Sequence, residues 1–323
     1  MIKVSVLVPV YGVEKFIEQC AVTLFEQTYE NIEYVFVDDC TPDDSIRVLQ
    51  SVLSRYPHRQ QQVNIVRHEY NRGLGAARKT ALDAATGDFV FIVDSDDYVS
   101  VEAVARLVEC QKATGADIVT GAFNYKYDDG STASVHYQTL DQPTVLKLML
   151  IQNTLLPHIW GRLYRWTLFT DYGIAPIEGI NMAEDLAVTP RLIYAAKTIA
   201  VLDEALYVYR CNSSASTFDN HLAPKHLESY LKACEVLMCY FSKHDLQGKY
   251  RYAFEIGMLH ATYISLKGGF DRQRIRQFCA YRPQGWLFRL VHLLFAHRRT
   301  LPLLRLSFLS VKWLFKKRLH YAG

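Results

Sequence analysis

The sequence predicts an α/β fold with a helical, basic C-terminal extension. In the first hundred residues, short apolar runs alternate with segments whose apolar residues recur at helical spacing. Repeated strand–helix units of this kind build a mostly parallel sheet flanked by helices. After Asp271 the pattern changes, because leucines and aromatic residues recur among twelve Lys and Arg without a single Asp or Glu.

Composition limits the class of protein. The chain has 323 residues, of which 50% are hydrophobic and 21% charged, as expected for a globular protein with a sizeable core. The seven cysteines include no CxxC pair, so neither a disulfide framework nor a zinc site is predicted, and a reducing cytosol fits best. We see no secretory signal and no apolar run of the roughly 18 residues that a spanning helix needs.

The predicted elements follow in order along the first hundred residues. Val4–Val10 is a β-branched run that predicts a strand, and residues 16–25 follow with helical spacing. Ile32–Val37 predicts a second strand, after which Thr41 as N-cap and Pro42 at the first helical position open a helix through about Arg55. The remaining elements are a strand at 63–66, a helix at 75–85 and a strand at 88–93.

The first, second and fourth predicted strands each end in residues that can contact a ligand. These residues are Tyr11, then Asp38 and Asp39, and then Asp94, Ser95, Asp96 and Asp97. In open α/β sheets, ligands bind outside the carboxyl ends of the strands. Three separate stretches are therefore predicted to converge on one crevice, although each alone could be a turn or helix cap.

The stretch FVFIVDSDDY brings three carboxylates to the end of one buried strand. Carboxylates crowded there repel each other unless a cation or hydrogen-bond donors hold them. Mg²⁺ and Mn²⁺ prefer hard oxygen ligands, commonly one or two carboxylates together with substrate phosphates. Asp94 and Asp96 are spaced to face the same way, with Asp97 next in line, so a pyrophosphate bound with a divalent cation is predicted.

A dinucleotide site is the competing interpretation. Gly73 and Gly75 form a G-x-G between a predicted strand and a helix. Against this interpretation, the motif follows the third strand and Arg78 occupies the third glycine position. The alternative is that the two glycines form a turn that opens a helix. Arg78 would then face either the phosphates or solvent.

Several stretches resemble the successive motifs of family 2 glycosyltransferases. They are VSVLVPVYG, EYVFVDDCTPDDS, NRGLGAARKTALDAATGDFVFIVDSDDY and MAEDL. The resemblance is dense over residues 3 to about 100, moderate from 158 to about 220 and absent beyond. It implies the GT-A fold, a Rossmann-like and mostly parallel sheet, and an inverting transfer from a nucleotide-activated sugar, often a UDP-sugar, with Mg²⁺ or Mn²⁺. The usual ARN and VDDGS appear here as Ala77-Arg78-Lys79 and VDDCT.

The resemblance also implies roles for single residues. Asp39 is similar to the carboxylate that contacts the uracil, and Pro9 and Tyr11 to the loop beside the base. Asp94 and Asp96 are similar to the DxD pair at the ribose and the metal. The residues expected at the nucleotide sugar are thus Pro9, Tyr11, Asp39, Arg78, Asp94, Ser95 and Arg210, and those expected at the metal are Asp94, Asp96 and Asp97.

The second half supplies the catalytic candidates. Glu184 and Asp185 open an apolar helical pattern, where acids also compensate the helix dipole. The pair is similar to the family's ED motif, which implies that Asp185 is the general base for the acceptor hydroxyl. The segment around Trp160 resembles WNKLYR with Gly161 in place of Asn, and the tryptophan either stacks on an acceptor sugar or belongs to the core. Arg210, in YVYRCNSSASTF, contacts the diphosphate or is an ordinary surface arginine.

The basic tail predicts a partner of negative charge. From Trp286 onward, apolar residues at helical spacing are interrupted by Arg and Lys, a pattern that fits helices lying on an anionic membrane surface. The alternative is a pair of helices that pack on the catalytic domain, with Pro302 near their junction. Nucleic acid is not expected, because the leucine-rich faces are too apolar to contact phosphates.

We therefore expect a catalytic domain at 1–220, with a nucleotide-binding half at 1–100 and an acceptor half at 101–220, followed by a membrane-associated region at 221–323. The expected function is sugar transfer from a UDP-sugar to a lipid-linked or growing saccharide of the cell envelope, in the cytoplasm at the inner face of the membrane. A noncatalytic nucleotide-sugar-binding protein is the main alternative. A sugar nucleotidyltransferase fits less well, because no glycine-rich signature follows the first strand.

Overall fold

The computed structural model describes residues 1–151, 155, 157–211, 223–245, 247–295 and 300–318. These residues belong to two compact units. The first comprises 1–139, 158–179 and 195–216, and the second 140–157, 180–194 and 217–323. The units therefore differ from a division at residue 220, since 140–157 and 180–194 cluster with the C-terminal residues.

The first unit contains one sheet. Its strands are β1 Val4–Val10, β2 Ile32–Asp38, β3 Val63–Arg67, β4 Phe89–Ile92, β5 Tyr98–Val99, β6 Ile118–Tyr127, β7 Thr132–Val135, β8 Arg162–Arg165 and β9 Ile199–Cys211. Their order is β3-β2-β1-β4-β8-β6-β9-β5, and β7 pairs with β6. The predicted α/β class and the four N-terminal strands are confirmed.

Strand direction is uniform only in the first part of the sheet. The strands β1 to β4 pair in parallel, whereas β8 runs antiparallel to both β4 and β6 and β5 runs antiparallel to β9. β6 and β7 form a hairpin through Asp129 and Gly130, where φ of Gly130 is +82°. The sheet as a whole is therefore mixed, because the second half lacks the strand–helix alternation that enforces parallel pairing.

The helices are α1 Ile17–Phe25, α2 Ser45–Ser54, α3 Leu74–Asp83, α4 Ala103–Thr114, α5 Gln142–Leu150, α6 Thr167–Thr170, α7 Glu184–Ala195, α8 Pro224–His244, α9 Arg251–Lys267, α10 Arg272–Phe278, α11 Trp286–Phe295 and α12 Leu301–Arg318. The predicted start of α2 was wrong. Residues 41–44 form a turn, and Asp43 accepts hydrogen bonds from the backbone N–H and the hydroxyl of Ser45. The helix therefore begins at Ser45, three residues later than Thr41 and Pro42 indicated.

All seven residues of β1 are buried, since β1 lies between β2 and β4 and both faces of the sheet are covered. Its side chains share a core with Cys20, Leu24 and Phe25 of α1. Pro9 lies beyond Leu7, the last residue of β1 that pairs with β4. A proline is tolerated there because only β2 still pairs with the strand.

The second unit is helical. The buried residues Leu231 of α8, Leu259 of α9 and Leu304 of α12 contribute to its interior, and the rings of His260 and Phe308 lie 4.9 Å apart between α9 and α12. The helices α11 and α12 confirm the predicted helical C-terminal region, and Pro302 lies in the first turn of α12. Within the described part of the chain, no helix combines the length and apolar character needed to cross a bilayer.

Candidate active site

The structure brings the three predicted stretches of the first unit to one edge of the sheet. Val10 lies opposite Asp38, and Leu7 lies opposite Ile92 in the neighbouring strand. Because β1, β2 and β4 are parallel and adjacent, the residues that follow them lie at the same edge. Tyr11 is 49% exposed there, whereas Pro9 is buried in β1.

The segment after β1 is held by the segment after β2. Gly12 has φ of +69° and donates its N–H to the hydroxyl of Thr41 at 2.9 Å. The N–H of Val13 donates to Ser45 Oγ, and that of Glu14 to Asp43 Oδ2, both at 3.0 Å. These bonds fix the backbone that presents Tyr11.

Asp39 orders the loop that enters α3. Its Oδ1 accepts from the N–H of Arg72 at 2.8 Å and lies 2.7 Å from Nδ1 of His68, while its Oδ2 accepts from the N–H of Gly73 at 2.7 Å. The side chain is buried, and these three contacts within the protein satisfy its oxygens. Gly73, with φ of +87°, opens α3, in line with the turn interpretation of the G-x-G motif.

Arg78 of α3 faces the carboxylates after β4. It is buried, and its Nη2 donates to Asp94 Oδ1 at 2.7 Å. Arg78 therefore faces the carboxylates and not solvent. Asp94 and Asp96 are partly exposed, whereas Ser95 between them is buried.

Asp97 points into the protein. Its Oδ2 accepts from the hydroxyl of Tyr207 at 2.7 Å, and its Oδ1 accepts from the N–H of Arg210 at 2.8 Å. The same hydroxyl accepts from the N–H of Asp94 at 3.1 Å. Asp97 is 0% exposed, so these contacts join the DSDD turn to β9. Tyr207 is a site residue that the sequence did not indicate, since its partners are more than a hundred positions away.

Arg210 lies against this turn. Its guanidinium lies 4.8 Å from the ring centroid of Tyr98 and 5.6 Å from that of Phe16, and its Nη2 donates to Gln19 Oε1. The arginine is thus held beside the carboxylates by aromatic rings. The part of the predicted diphosphate loop at 212–218 lies outside the described residues.

The carboxylates perturb one another. Burial and the charge of Asp94 raise the pKa of Asp96 to about 6. Burial, together with the charges of Asp96 and Asp94, raises the pKa of Asp97 well above its usual range. Burial and the same acids also raise the pKa of the Cys20 thiol, which therefore stays protonated. A cation at this turn would relieve the repulsion. Within the described residues, no three His, Cys, Asp or Glu side chains form a ready-made metal site.

Trp160 lies in the core of the first unit and is 6% exposed. Its ring stacks with that of His158 at 3.9 Å and with that of Tyr207 at 4.4 Å between centroids. Of the two interpretations of this tryptophan, the structure favours the core. Trp160 contacts the site indirectly, because it packs against the ring of Tyr207, whose hydroxyl binds Asp97.

Glu184 and Asp185 lie in the first turn of α7, in the second unit. The residue before them, Ala183, has φ of +59°, a left-handed conformation that is costly for alanine. Ser229 of α8 holds this turn, because its hydroxyl accepts from the N–H of Asn181 and of Met182 at 3.0 Å and donates to the carbonyl of Met182 at 2.9 Å. No local signal in the sequence marked Ser229.

A mixed sheet with acids at the carboxyl ends of β2 and β4 is the arrangement expected of the GT-A class of glycosyltransferase folds. Residues 5–172 match the model of the family described as "Glycosyl transferase family 2". A relative in Bacillus subtilis (strain 168), named "Uncharacterized glycosyltransferase EpsJ", is 30% identical over 96% of this chain and 92% of its own length. The chain therefore belongs to glycosyltransferase family 2.

More distant relatives include longer proteins. The "Poly(ribitol-phosphate) beta-N-acetylglucosaminyltransferase TarS" of Staphylococcus aureus (strain MW2) is 30% identical over 65% of this chain, which spans only 35% of TarS. The crystal structure of Staphylococcus aureus TarS 1–349 in complex with UDP has a TM-score of 0.56 and 21% identity over 98% of this chain and 91% of that one. At this identity the likeness establishes the fold alone, and the predicted GT-A fold is confirmed.

Proposed function

We propose that the protein transfers a sugar from a UDP-sugar to a saccharide or lipid-linked saccharide of the cell envelope, with inversion at the anomeric carbon. The observation that carries this proposal is the DSDD turn, where Arg78 and Arg210 flank carboxylates at the open edge of a GT-A sheet. The names of the relatives point the same way, since TarS is a poly(ribitol-phosphate) β-N-acetylglucosaminyltransferase with structures in complex with UDP and UDP-GlcNAc.

In this proposal Asp94 and Asp96 hold Mn²⁺ or Mg²⁺. Support for this role comes from the two carboxylates lying one residue apart and partly exposed at the edge of the sheet, where burial and the charge of Asp94 raise the pKa of Asp96 to about 6. Two carboxylates suffice, because substrate phosphate oxygens commonly complete the shell of these ions. When bound, the ion would neutralise charge on the departing diphosphate. The sequence also predicted Asp97 as a ligand, but both of its oxygens are engaged with β9, so we assign it the positioning of the turn.

The remaining donor-site residues keep their predicted parts as proposals. Tyr11 is exposed at the carboxyl end of β1, where the base would lie beside it. Asp39 shapes the uracil pocket through the loop it orders at residues 68–73. Arg78 and Arg210 supply positive charge near the diphosphate, with Arg210 kept in place by aromatic rings and Gln19.

Asp185 is the proposed general base, with Glu184 beside it. It would take the proton from the acceptor hydroxyl as that oxygen attacks the anomeric carbon and the UDP leaves. A single displacement needs one base and no nucleophile on the enzyme. A positioned base contributes roughly 10²- to 10⁴-fold to the rate.

Paired variants test these roles. We expect Asp185→Asn to lower sugar transfer by roughly 10²-fold or more while UDP binding, measured by calorimetry with Mn²⁺, stays unchanged. Glu184→Gln is the matched control and should retain more activity than Asp185→Asn. Asp96→Ala should instead weaken the metal-dependent part of UDP binding. Full transfer by Asp185→Asn would contradict its role as base, and UDP binding without any turnover by wild type would favour the noncatalytic alternative.

We also propose that α11 and α12 associate with the inner face of the cytoplasmic membrane. Large apolar side chains are exposed on both helices, among them Trp286 at 77% and Trp313 at 61%. Basic residues lie between them and no acidic residue follows Asp271 in the sequence. This combination is typical of helices that lie in an interface with cations toward anionic headgroups.

A further inference from the structure

A cavity of about 380 Å³ lies in the second unit among α9, α10 and α11. Part of its lining is apolar and includes Met258, Ile275 and Leu293. Four arginines also line it, namely Arg272, Arg276, Arg282 and Arg289. No Asp or Glu belongs to the lining formed by the described residues. A volume of this size falls within the usual range of small-molecule sites.

The arginines fall into two pairs. Arg272 donates to the carbonyl of Leu293 at 3.3 Å and Arg289 to the carbonyl of Pro283 at 3.0 Å, so these two also fasten the cavity walls. Arg276 and Arg282 are exposed and form no ion pair within the described residues. Four guanidinium groups around one cavity repel each other, and an anion in the cavity would relieve that repulsion. Guanidinium groups are especially suited to phosphate, which they bind in a bidentate manner.

The wall of the cavity is ordered from behind. Glu255 of α9 is buried, and its Oε1 accepts from the N–H of Gln284 at 2.7 Å and of Gly285 at 3.0 Å. This carboxylate ties the segment that carries Arg282 to α9. Contacts of the fold thus hold Arg272, Arg289 and the backbone that follows Arg282.

The cavity is continuous with an exposed apolar surface. Leu293 lines the cavity and is also 68% exposed on α11. Trp286, Leu287 and Leu290 are also exposed on this helix. A ligand with a phosphate at one end and hydrocarbon at the other matches this arrangement.

We propose that the cavity binds the phosphate headgroup of an anionic membrane lipid while the apolar residues of α11 contact its acyl chains. This inference rests on the membrane association in the proposed function and deepens it, since it assigns the contact to a defined site. It does not depend on sugar transfer.

Vesicle flotation tests the site with the full chain and a matched pair of double variants. Arg276→Gln with Arg282→Gln removes two positive charges from the cavity. Lys225→Gln with Lys243→Gln removes the same charge from exposed positions on α8, outside the cavity lining. We expect wild type to bind phosphatidylcholine vesicles that contain phosphatidylglycerol and not pure phosphatidylcholine. The arginine pair should bind roughly 30-fold more weakly, and the lysine pair within about threefold of wild type. Circular dichroism checks that both variants are folded.

Equal loss in the two double variants would overturn the site, because surface charge alone would then explain binding. Wild-type binding that the arginine pair leaves unchanged would overturn it as well. A thermal shift with inorganic phosphate as large as that with a short-chain phosphatidylglycerol would identify free phosphate as the ligand and refute the lipid. Vesicle binding without turnover of any UDP-sugar would leave this site in place and contradict only the proposed transfer.

Discussion

The hydroxyl of Tyr207 connects the DSDD turn to β9, and its removal is the most informative single change in the first unit. Tyr207→Phe keeps the ring that stacks at 4.4 Å on Trp160. It removes the donor to Asp97 Oδ2 at 2.7 Å and the acceptor for the N–H of Asp94 at 3.1 Å. The change therefore isolates two hydrogen bonds from the packing around them.

The expected cost follows from the burial of the Tyr207 and Asp97 side chains. Tyr207 is 1% exposed and Asp97 0%, so water cannot replace the lost partner without a structural change. The lost bond to a carboxyl group costs about 1 to 3 kcal/mol, and the partly buried N–H of Asp94, left without its acceptor, adds to that cost. We expect the free energy of unfolding to fall by about 3 kcal/mol. The backbone of Asp94 should also become less ordered, which should weaken binding of UDP with Mn²⁺.

Urea unfolding of wild type, Tyr207→Phe and Tyr209→Phe measures this cost. Tyr209 is the matched control, because it lies on the same strand and stacks at 5.3 Å on the same Trp160, while its hydroxyl has no hydrogen-bond partner within the described residues. Its loss should change the free energy of unfolding by less than about 0.5 kcal/mol. Equal stability of the two variants would refute the assigned role of the Tyr207 hydroxyl.

Three further predictions concern other parts of the chain. Ser229→Ala should lower kcat about tenfold or more with little change in UDP binding, and Ser229→Thr, which keeps the hydroxyl, should recover activity in steady-state kinetics. Gly87→Ala should destabilise the protein by about 2 kcal/mol or more in urea, since its Cβ would lie 2.8 Å from the carbonyl of Lys3, whereas Gly121→Ala, with ordinary contacts from 3.6 Å, should cost less. Burial and the charge of Lys312 lower the pKa of His260 to about 4, so only the unfolded chain takes up this proton between about pH 6.5 and 4. The free energy of unfolding should fall by about 3 kcal/mol as the pH is lowered across that window, and His260→Phe should remove this part of the pH dependence in thermal unfolding.

The fold of the first hundred residues was predictable from local pattern. The run Val4–Val10 is apolar throughout, and β1 is buried on both faces, as such a run indicates. The acids at 38–39 and 94–97 stop two apolar runs, and parallel neighbours necessarily bring such strand ends to one edge. The convergence of these strand ends therefore followed from topology alone.

The details of the site depended on partners far away in the sequence. Asp97 is the fourth residue of an acidic turn, and only the position of Tyr207, 110 residues away, makes it an interior group. The sequence shows Asp39 only as an acid at the end of a strand, whereas in the structure its carboxylate accepts hydrogen bonds from the N–H groups of Arg72 and Gly73. His68, which directly follows the third strand and lies beside Asp39, was missed.

The strand directions beyond β4 and the place of Asp185 were not encoded locally either. A short strand such as Arg162–Arg165 carries no signal for its direction, which its neighbours in the sheet decide. The residues at 180–194 cluster with the C-terminal helices because Ser229 of α8 holds their backbone. Such long-range contacts have no signature in a single sequence.

Release of UDP from a panel of UDP-sugars by the purified protein is the most direct test of the central claim, that the DSDD turn serves a metal-dependent glycosyltransferase. The measurement is made with Mn²⁺, with Mg²⁺ and with EDTA, for wild type and Asp96→Ala. We predict slow release from at least one UDP-sugar without acceptor, supported by a divalent cation, stopped by EDTA and lost in Asp96→Ala. Release by wild type that EDTA does not lower, and that Asp96→Ala retains in full, would contradict the metal site. No release from any UDP-sugar, even with membrane extract as acceptor, would contradict the proposed transfer from a UDP-sugar.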